Sequence, residues 1–439
     1  MFSNWLKTTR SWYLNNYELL IGILASILVF RKPGTIAIIL FIVSHLLIAR
    51  SFKFSKNSFW KIGLIALPFL LDVLFLWNNV ELSEGFKHME KRMGMLLFPV
   101  VLIGSPIKIN FKKVLTYYSI LFTCLLVVLL IRFLIIEPEL VSKYLKGIHL
   151  WEMGYSFANS TGVHAPALNM HVAFLVVVNT YLAIRYLIES SWKILNYRTL
   201  LFLISVFLLL IINTRLAVAN AFIGIFLVLF LELFKKVSRK KLVTVTASTL
   251  AVLILMVFAF AKAFPYITKK YTTVTFAHMD KVGKLDDFEN PEGEVFNSFV
   301  TRVSIWKTAW ERAQQDIWIG VGAADGKDEL NQAYLDTDQQ FLAKYKFPTH
   351  NQYLDFLLKF GLLGLLAVLL YVLNILWLGW RLQHSVVLFF FVLFFTSNLT
   401  DDFLIRYDGI TFSALWISIF SALFIKNDCS TSQSIEKSS

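Results

Sequence analysis

One histidine stands in a sequence context suited to acid–base chemistry. His350 lies in the segment Pro348-Thr349-His350-Asn351-Gln352, directly before a long apolar run. Thr349 and Gln352 have the spacing of a capping box, which predicts that a helix begins at Thr349 and that His350 lies in its first turn. A neutral imidazole at this end of a helix can accept a proton from a hydroxyl group. The alternative is an interfacial polar residue without a chemical role.

Two arginines favour the catalytic interpretation of the histidine. Arg215 lies between two apolar runs of about one membrane span each, so we expect it at the outer end of a helical hairpin. Arg302 lies in an amphipathic segment later in the chain. Guanidinium groups bind pyrophosphate oxygens through paired hydrogen bonds and can stabilise pyrophosphate as a leaving group. The alternatives are that Arg215 snorkels towards water and that Arg302 stacks on Trp306.

Five further polar residues are predicted to support such a site. Lys91 and Arg92 add positive charge, unless they belong to a solvated loop. Asp401 and Asp402 can orient an arginine or the histidine, unless they pair locally, and Asn351 directly follows the histidine. Three other polar residues near the start of an apolar run are interpreted as helix-end residues: His164, Asn169 and His171.

The composition requires that these residues be positioned by a membrane protein. Hydrophobic residues make up 57% of the chain and charged residues 16%, and the mean hydropathy is +0.64. Soluble domains contain roughly 45–50% apolar residues. We therefore predict an all-α polytopic membrane protein with about 12 transmembrane helices and one long extracytoplasmic loop that contains interfacial helices. The predicted spans lie near residues 18–30, 35–49, 62–77, 93–104, 114–136, 166–188, 199–213, 216–234, 242–263, 352–380, 385–399 and 409–425.

Positive charge in every second connection predicts the orientation. Under the positive-inside rule these connections are cytoplasmic, which places both termini in the cytoplasm. The opposite face then holds the loops 78–92, 137–165, 213–215 and 264–349, where chemistry is expected. The basic residues of the cytoplasmic connections are Arg50, Lys53, Lys56, Lys61, Lys108, Lys112, Lys113, Lys193, Arg198, Lys235, Lys236, Arg239, Lys240, Lys241 and Arg381.

Four regions follow from this pattern. Residues 1–263 form an N-terminal transmembrane bundle of about nine spans, and 264–349 form the long outer loop. Residues 350–425 contain about three further spans, and 426–439 form a polar cytoplasmic tail. The first apolar run has no small-residue cleavage pattern and is interpreted as a retained span.

The long loop is predicted to carry an amphipathic helix at the membrane interface. Its apolar residues recur at helical spacing, and a Gly320-Val321-Gly322 turn is expected to end it. The acidic subsegment 266–300 is either a lid over the site or a surface loop. The apolar positions of the helix are Phe299, Val303, Trp306, Trp310 and Ile317.

Motifs of other chemistries are absent from the sequence. It contains no Cys/His metal cluster, no phosphate-cradling P-loop and no GxSxG elbow, so we expect no cofactor, no metal and no nucleotide hydrolysis. Nucleic acid is not an expected partner. Cys124 lies in an apolar run and Cys429 in the tail, so no disulfide is expected.

Several short motifs, in this order, resemble the shared region of the O-antigen ligases and O-antigen polymerases. They are Arg302 to Trp306, Gly320-Val321-Gly322, His350-Asn351 and Gly361-Leu362-Leu363-Gly364. Further similar segments are Glu90-Lys91-Arg92 before Phe98-Pro99, Asn213-Thr214-Arg215, and Asp401-Asp402-Phe403-Leu404. The sequence departs from the ligase pattern at Phe347 and Pro348, where another histidine is frequent, and at Trp318, where proline is frequent.

The resemblance implies a metal-independent, inverting glycosyltransferase in a bacterial inner membrane, with its active face in the periplasm. It implies an undecaprenyl-pyrophosphate-linked glycan as donor, Arg215 and Arg302 as its pyrophosphate ligands, and His350 as the base that activates the acceptor hydroxyl. We favour a ligase that acts on lipid A core, with a repeat-unit polymerase acting on a growing glycan as the alternative. A flippase or transporter for lipid-linked sugars and a structural membrane protein are the other classes considered.

Overall fold

A computed structural model describes residues 2–49, 52–190, 196–234, 236, 238–263, 277–296 and 298–436. Within these ranges the chain is helical and contains no strand. The helices are α1 (Phe2–Asn15), α2 (Tyr17–Ile27), α3 (Arg31–Ile48), α4 (Lys56–Leu74), α5 (Leu82–Arg92), α6 (Gly94–Gly104), α7 (Phe111–Ile136), α8 (Pro138–Leu145), α9 (Met153–Ser160), α10 (Ala165–Glu189), α11 (Tyr197–Ile212), α12 (Arg215–Leu233), α13 (Arg239–Ala263), α14 (Pro291–Glu294), α15 (Phe299–Gln315), α16 (Gly326–Asp336), α17 (Gln340–Tyr345), α18 (Gln352–Leu382), α19 (Ser385–Thr400) and α20 (Tyr407–Glu436).

Eight of the described helices are long and apolar enough to cross a membrane: α3, α4, α7, α10, α12, α13, α18 and α20. Three shorter apolar helices are α2, α11 and α19. Each predicted apolar run lies on a helix, but the run near 93–104 forms α6, which has only 11 residues. The all-helical membrane class is therefore confirmed, whereas the predicted number of about 12 spans is not.

Helix α10 lies at the centre of the bundle. All residues in its most apolar 18-residue stretch are buried, whereas only 6% of the residues in the corresponding stretch of α13 are buried. Helices α11, α12 and α19 pack around α10, and α20 packs mainly on α6. In a membrane, the exposed apolar side chains of α13 would contact lipid rather than water.

The region between α13 and α18 has a hydrophobic core of its own. Its predicted amphipathic helix is present as α15 (Phe299–Gln315), and one side of it is buried within this region. Val300, Ile305 and Ala309 are fully buried, whereas Trp310 is 45% exposed. Small residues such as Ala309 and Ala313 allow close packing of α15 on α16 and α18, whereas the interfacial position of the tryptophans stays a prediction.

Two glycines fix this outer region to α18. Gly320 has a φ of +72° and Gly361 a φ of +63°, a region that side chains with a Cβ rarely adopt. A Cβ on Gly361 would lie 2.3 Å from the carbonyl carbon of Trp318. The close approach allows the Leu362 N–H to donate to the carbonyl of Ile317 at 2.8 Å. This contact places α15 over the start of α18.

Some sequence predictions lie outside the described residues. They concern Arg50, Lys193, Lys235, residues 264–276, Asn297 and residues 437–439. The described part of the acidic subsegment, 277–296, is tied to α17, because the Asp286 carboxylate accepts from the Phe341 N–H at 2.8 Å. This part therefore contacts the outer region directly, and its role as a lid or a surface loop stays a prediction. The last helix continues to Glu436, into the predicted tail.

Candidate functional site

A cavity of about 370 Å³ lies where α12, α15 and the end of α19 meet. Arg215 and Arg302 both line it, together with Tyr155 and Asp401. These residues come from four separate parts of the chain. The two predicted pyrophosphate ligands therefore share one cavity.

A smaller cavity of about 80 Å³ contains the histidine. It is lined by His350 and also by Arg302, Asp401 and Tyr155, which line the larger cavity as well. Arg302 therefore borders both the cavity that Arg215 lines and the cavity that His350 lines. The structure brings together the three residues that the sequence predicted to act on one substrate.

Arg215 is presented by a tight turn between α11 and α12. Asn213 has a φ of +51° and ends α11, and Thr214 precedes α12. The Asn169 side chain on α10 donates to the Thr214 hydroxyl at 2.8 Å, and both side chains are buried. Asn169, interpreted from sequence as a helix-end residue, thus fixes the turn that carries Arg215.

Arg302 lies on the first turns of α15. Ser298 caps this helix by accepting from the Thr301 N–H at 3.3 Å. The predicted stacking alternative is not found within the described ranges, where no cation–π contact joins Arg302 to Trp306. The indole N–H of Trp306 instead donates to the main-chain carbonyl of His350 at 3.4 Å. Helix α15 therefore helps to position the histidine as well as Arg302.

The predicted start of the helix after His350 is wrong. Helix α18 begins at Gln352, and its cap is Asn351, whose side chain accepts from the Tyr353 and Leu354 N–H groups. The Asn351 side chain satisfies these amides directly, so the predicted Thr349–Gln352 capping box does not form. His350 lies before the helix with a φ of +45°. Asn351 is consequently a structural cap next to the histidine.

Asp401 is the side-chain partner of His350. Its Oδ1 lies 3.4 Å from Nδ1 of His350, whose side chain is 20% exposed. Arg406 lies 3.3 Å from the same carboxylate oxygen. Burial opposes ionisation of Asp401, but the hydrogen bond with His350 and the charge of Arg406 outweigh it and hold the pKa of Asp401 well below its usual range. Asp401 is therefore an anion that can orient the imidazole.

Asp402 has the opposite electrostatic character. Its side chain is fully buried and neither carboxylate oxygen has a hydrogen-bond partner in the described part of the chain. Burial and the neighbouring charge of Asp401 raise the pKa of Asp402 well above its usual value. Arg215 and Arg302 line the larger cavity together with the Asp401 carboxylate, and Arg406 contacts Asp401 without lining either cavity. The cavity is suited to an anion.

The two predicted basic supports lie elsewhere. Lys91 is exposed on the surface of α5, and Arg92 is only 1% exposed and forms an ion pair with Asp72 at 2.6 Å. Neither residue lines the cavities. Arg92 is therefore not a residue of a solvated loop, and its charge is already neutralised by Asp72.

Sequence reasoning missed three residues of the site. Arg406 contacts both Asp401 and His164, with 2.8 Å between its Nη1 and Nδ1 of His164. Burial and the charge of Arg406 lower the pKa of His164 to about 4. Tyr155 lines both cavities. Arg406 carried the same signal as Arg215, an arginine at the edge of an apolar run, whereas Tyr155 had no distinguishing sequence context.

His350, Asp401 and Asp402 also form a group whose potential metal-ligand atoms lie within 4.8 Å of one another. No sequence spacing indicated this group, because its members come from two distant segments. The guanidinium of Arg406 lies 3.3 Å from Asp401 and 3.7 Å from Asp402. Arg406 thus supplies positive charge beside both carboxylates.

The fold and the site define a polytopic helical membrane protein with an arginine-rich cavity beside a histidine–aspartate pair. Residues 200–369 match the family described as O-Antigen ligase. The match covers Arg215, Arg302 and His350. No curated protein matches the chain. The match indicates an enzyme of the glycosyl-transfer type and supports a bacterial inner-membrane protein.

Proposed function

We propose that the protein transfers a glycan from an undecaprenyl-pyrophosphate donor to a hydroxyl group of lipid A core at the periplasmic face. The observation that carries this proposal is that Arg215, Arg302 and His350 line two adjoining cavities that share Arg302. The family match over residues 200–369 supports the reaction class. The membrane helices around the site suit a lipid-linked substrate.

Arg215 and Arg302 would bind the donor pyrophosphate in the larger cavity. Guanidinium groups keep their charge at physiological pH and offer paired donors to phosphate oxygens. Arg302 makes no ion pair with the acidic residues of the described ranges, so its charge is available to a ligand. The prenyl chain would extend between helices into the bilayer.

His350 would act as the general base. The pairing of its Nδ1 with Asp401 favours the tautomer that carries the proton on Nδ1, which leaves Nε2 to accept a proton. The acceptor hydroxyl would donate its proton to Nε2 while its oxygen bonds to the anomeric carbon. The bond from that carbon to the pyrophosphate oxygen breaks, and its electron pair leaves with undecaprenyl pyrophosphate. Attack opposite the leaving group inverts the anomeric centre.

The positive charge needed by the leaving group is supplied in this proposal by arginines. Arg215 and Arg302 stabilise the developing pyrophosphate anion, and Arg406 balances Asp401. A chelator should therefore leave transfer unchanged. Loss of transfer on chelation, with recovery by a divalent cation, would contradict this assignment and favour the group formed by His350, Asp401 and Asp402.

Reconstituted vesicles provide the experimental test. Purified protein receives the lipid-linked donor with or without lipid A core, and the products are separated by size. Glycan transfer that requires core supports the ligase, whereas lengthening of the donor alone indicates a repeat-unit polymerase. Donor movement across the bilayer without a new glycosidic bond would indicate a transporter and overturn the proposal.

Alanine replacements of Arg215, Arg302 and His350 locate the reaction within the protein. Arg312→Ala is the matched control, because Arg312 lies on the same helix as Arg302 but pairs with Glu329 at 2.8 Å, away from the cavities. We expect strong loss of transfer in the three site variants and near-normal transfer in the control. Equal activity of all four variants at matched folded amounts would exclude this cavity as the reaction site.

A further inference from the structure

The segment that carries Asp401 and Arg406 is held at its centre by two buried side chains. The Leu404 N–H donates to Oε1 of Gln352 at 2.6 Å, and the Leu404 carbonyl accepts from Nε of Arg92 at 3.1 Å. The main-chain N–H and carbonyl of Leu404 are therefore both hydrogen-bonded to side chains rather than to the main chain of a helix. Along the chain, Leu404 lies between Asp401, which contacts His350, and Arg406, which contacts Asp401.

Gln352 is itself fixed by a charged pair on α18. Its Nε2 donates to Asp355 at 3.2 Å, and Asp355 forms an ion pair with Lys359 at 2.7 Å. All three side chains are buried. The orientation of the Gln352 amide is thereby determined, because its nitrogen faces the carboxylate and its oxygen must face Leu404.

Arg92 is fixed in a similar way from the other side. Its Nη1 donates to Asp72 at 2.6 Å, and the guanidinium carbon lies 5.0 Å from the centre of the Phe356 ring. Asp72 is on α4 and Phe356 on α18, so the arginine connects two helices with the Leu404 segment. A lysine could keep the charge but could not donate to both Asp72 and Leu404 with this planar geometry.

We propose that Arg92 and Gln352 are positioning residues, which hold Leu404 so that Asp401 and Arg406 remain aligned with His350. The inference rests on the proposed function for its effect on transfer, and it replaces the predicted contribution of Arg92 to a phosphate-binding field. A buried main-chain amide and carbonyl lose stabilisation when their only partners are removed. Residues 401–406 would then shift, and the contact between the Asp401 carboxylate and the His350 imidazole would be lost.

Hydrogen–deuterium exchange of the full chain in lipid nanodiscs tests the positioning directly. Gln352→Met keeps the side-chain volume but removes the acceptor for the Leu404 N–H, and Arg92→Lys keeps the charge. We expect exchange in peptides covering residues 401–406 to become roughly tenfold faster in both variants. Tyr371→Phe is the control, because Tyr371 lies on α18 like Gln352 and its hydroxyl donates one buried hydrogen bond to Ser413 on α20 instead of to the Leu404 segment.

Transfer kinetics provide the second measurement. We expect Gln352→Met to lower kcat with little change in KM for the donor, and to add little to the loss caused by Asp401→Asn in the double variant. Unchanged exchange at 401–406, or losses that multiply fully in the double variant, would overturn the positioning role. The exchange measurement needs no glycan, so a wild type without transfer activity would count against the proposed function alone.

Discussion

The cavity and the network around Leu404 use the same residue types in different ways. In the network, each cation has one carboxylate, with Arg92 on Asp72 at 2.6 Å and Lys359 on Asp355 at 2.7 Å. All four side chains are buried. These charges are balanced within the chain, and their geometry connects helices.

The cavity instead has more positive than negative charge. Arg215 and Arg302 line it, while Asp401 is the lining carboxylate, whose pKa is lowered, and burial raises the pKa of the neighbouring Asp402. An excess of cations next to open volume is expected where an anionic ligand binds. The balance of charges, more than the presence of arginine, therefore distinguishes the binding region from the structural one.

Removal of the imidazole should give the largest effect on transfer. We expect His350→Ala to lower kcat by about 10²–10⁴-fold, because the acceptor hydroxyl loses its proton acceptor. Donor binding and thermal stability should be retained. Assays in vesicles measure the rate, and His149→Ala, an exposed histidine paired with Glu152, is the control. Comparable losses in both variants would remove the distinction between the cavity and the rest of the outer surface.

Neutralisation of one arginine in the cavity and one in the network around Leu404 should distinguish donor binding from structural stabilisation. Arg302→Gln should weaken donor binding with little change in unfolding temperature, whereas Arg92→Gln should destabilise the protein by about 3–5 kcal/mol because Asp72 is left buried and unpaired. Thermal unfolding in nanodiscs and donor binding measure the two outcomes. A stable Arg92→Gln protein with selectively lost donor affinity would show that Arg92 belongs to the binding region.

The two neighbouring aspartates should respond differently to replacement by asparagine. Asp401→Asn removes the anion that orients His350, and we expect a loss of transfer of roughly tenfold to a hundredfold. Asp402→Asn replaces a carboxyl group that favours its protonated form with a neutral group of similar shape, so we expect a much smaller loss. Rates at pH 7 with matched protein amounts check this order. A larger loss at Asp402 would contradict the charge assignment.

The smallest predicted effect is a pH-dependent difference in stability. Because the pKa of Asp402 is raised in the folded protein, folding takes up a proton between the ordinary carboxyl pKa and the higher folded value. The associated stabilisation is complete below the ordinary pKa and is lost as the pH rises through the folded pKa. The unfolding temperature of the wild type should therefore rise relative to Asp402→Asn on acidification. A constant difference across this window would contradict the raised pKa.

The sequence was sufficient to predict features that depend on local pattern. The apolar runs predicted the helices, and Arg215 between two of them predicted a polar residue at the end of a hairpin. The same pattern would have indicated Arg406 before the last apolar run. Amphipathic spacing predicted α15, although small buried residues, not its tryptophans, form the packed face.

Features that depend on distant residues could not be predicted in this way. The partner of Arg92 is Asp72 on another helix, and nothing near Arg92 in the sequence indicated burial. The helix start at Gln352 was misplaced because Thr349 and Asn351 are both good caps, and only the folded geometry selects Asn351. Asp401 and Asp402 were both candidates to orient the histidine, and only the fold, which joins positions 51 residues apart, selects Asp401.

The central claim is that one site binds the donor through arginines and reacts through His350. Its most direct test is equilibrium binding of undecaprenyl pyrophosphate to the wild type, Arg302→Gln and His350→Ala proteins in nanodiscs. We expect His350→Ala to bind undecaprenyl pyrophosphate with wild-type affinity although it does not transfer glycan. We expect Arg302→Gln to bind it with clearly reduced affinity. Equal affinity of the wild type and Arg302→Gln would contradict the claim.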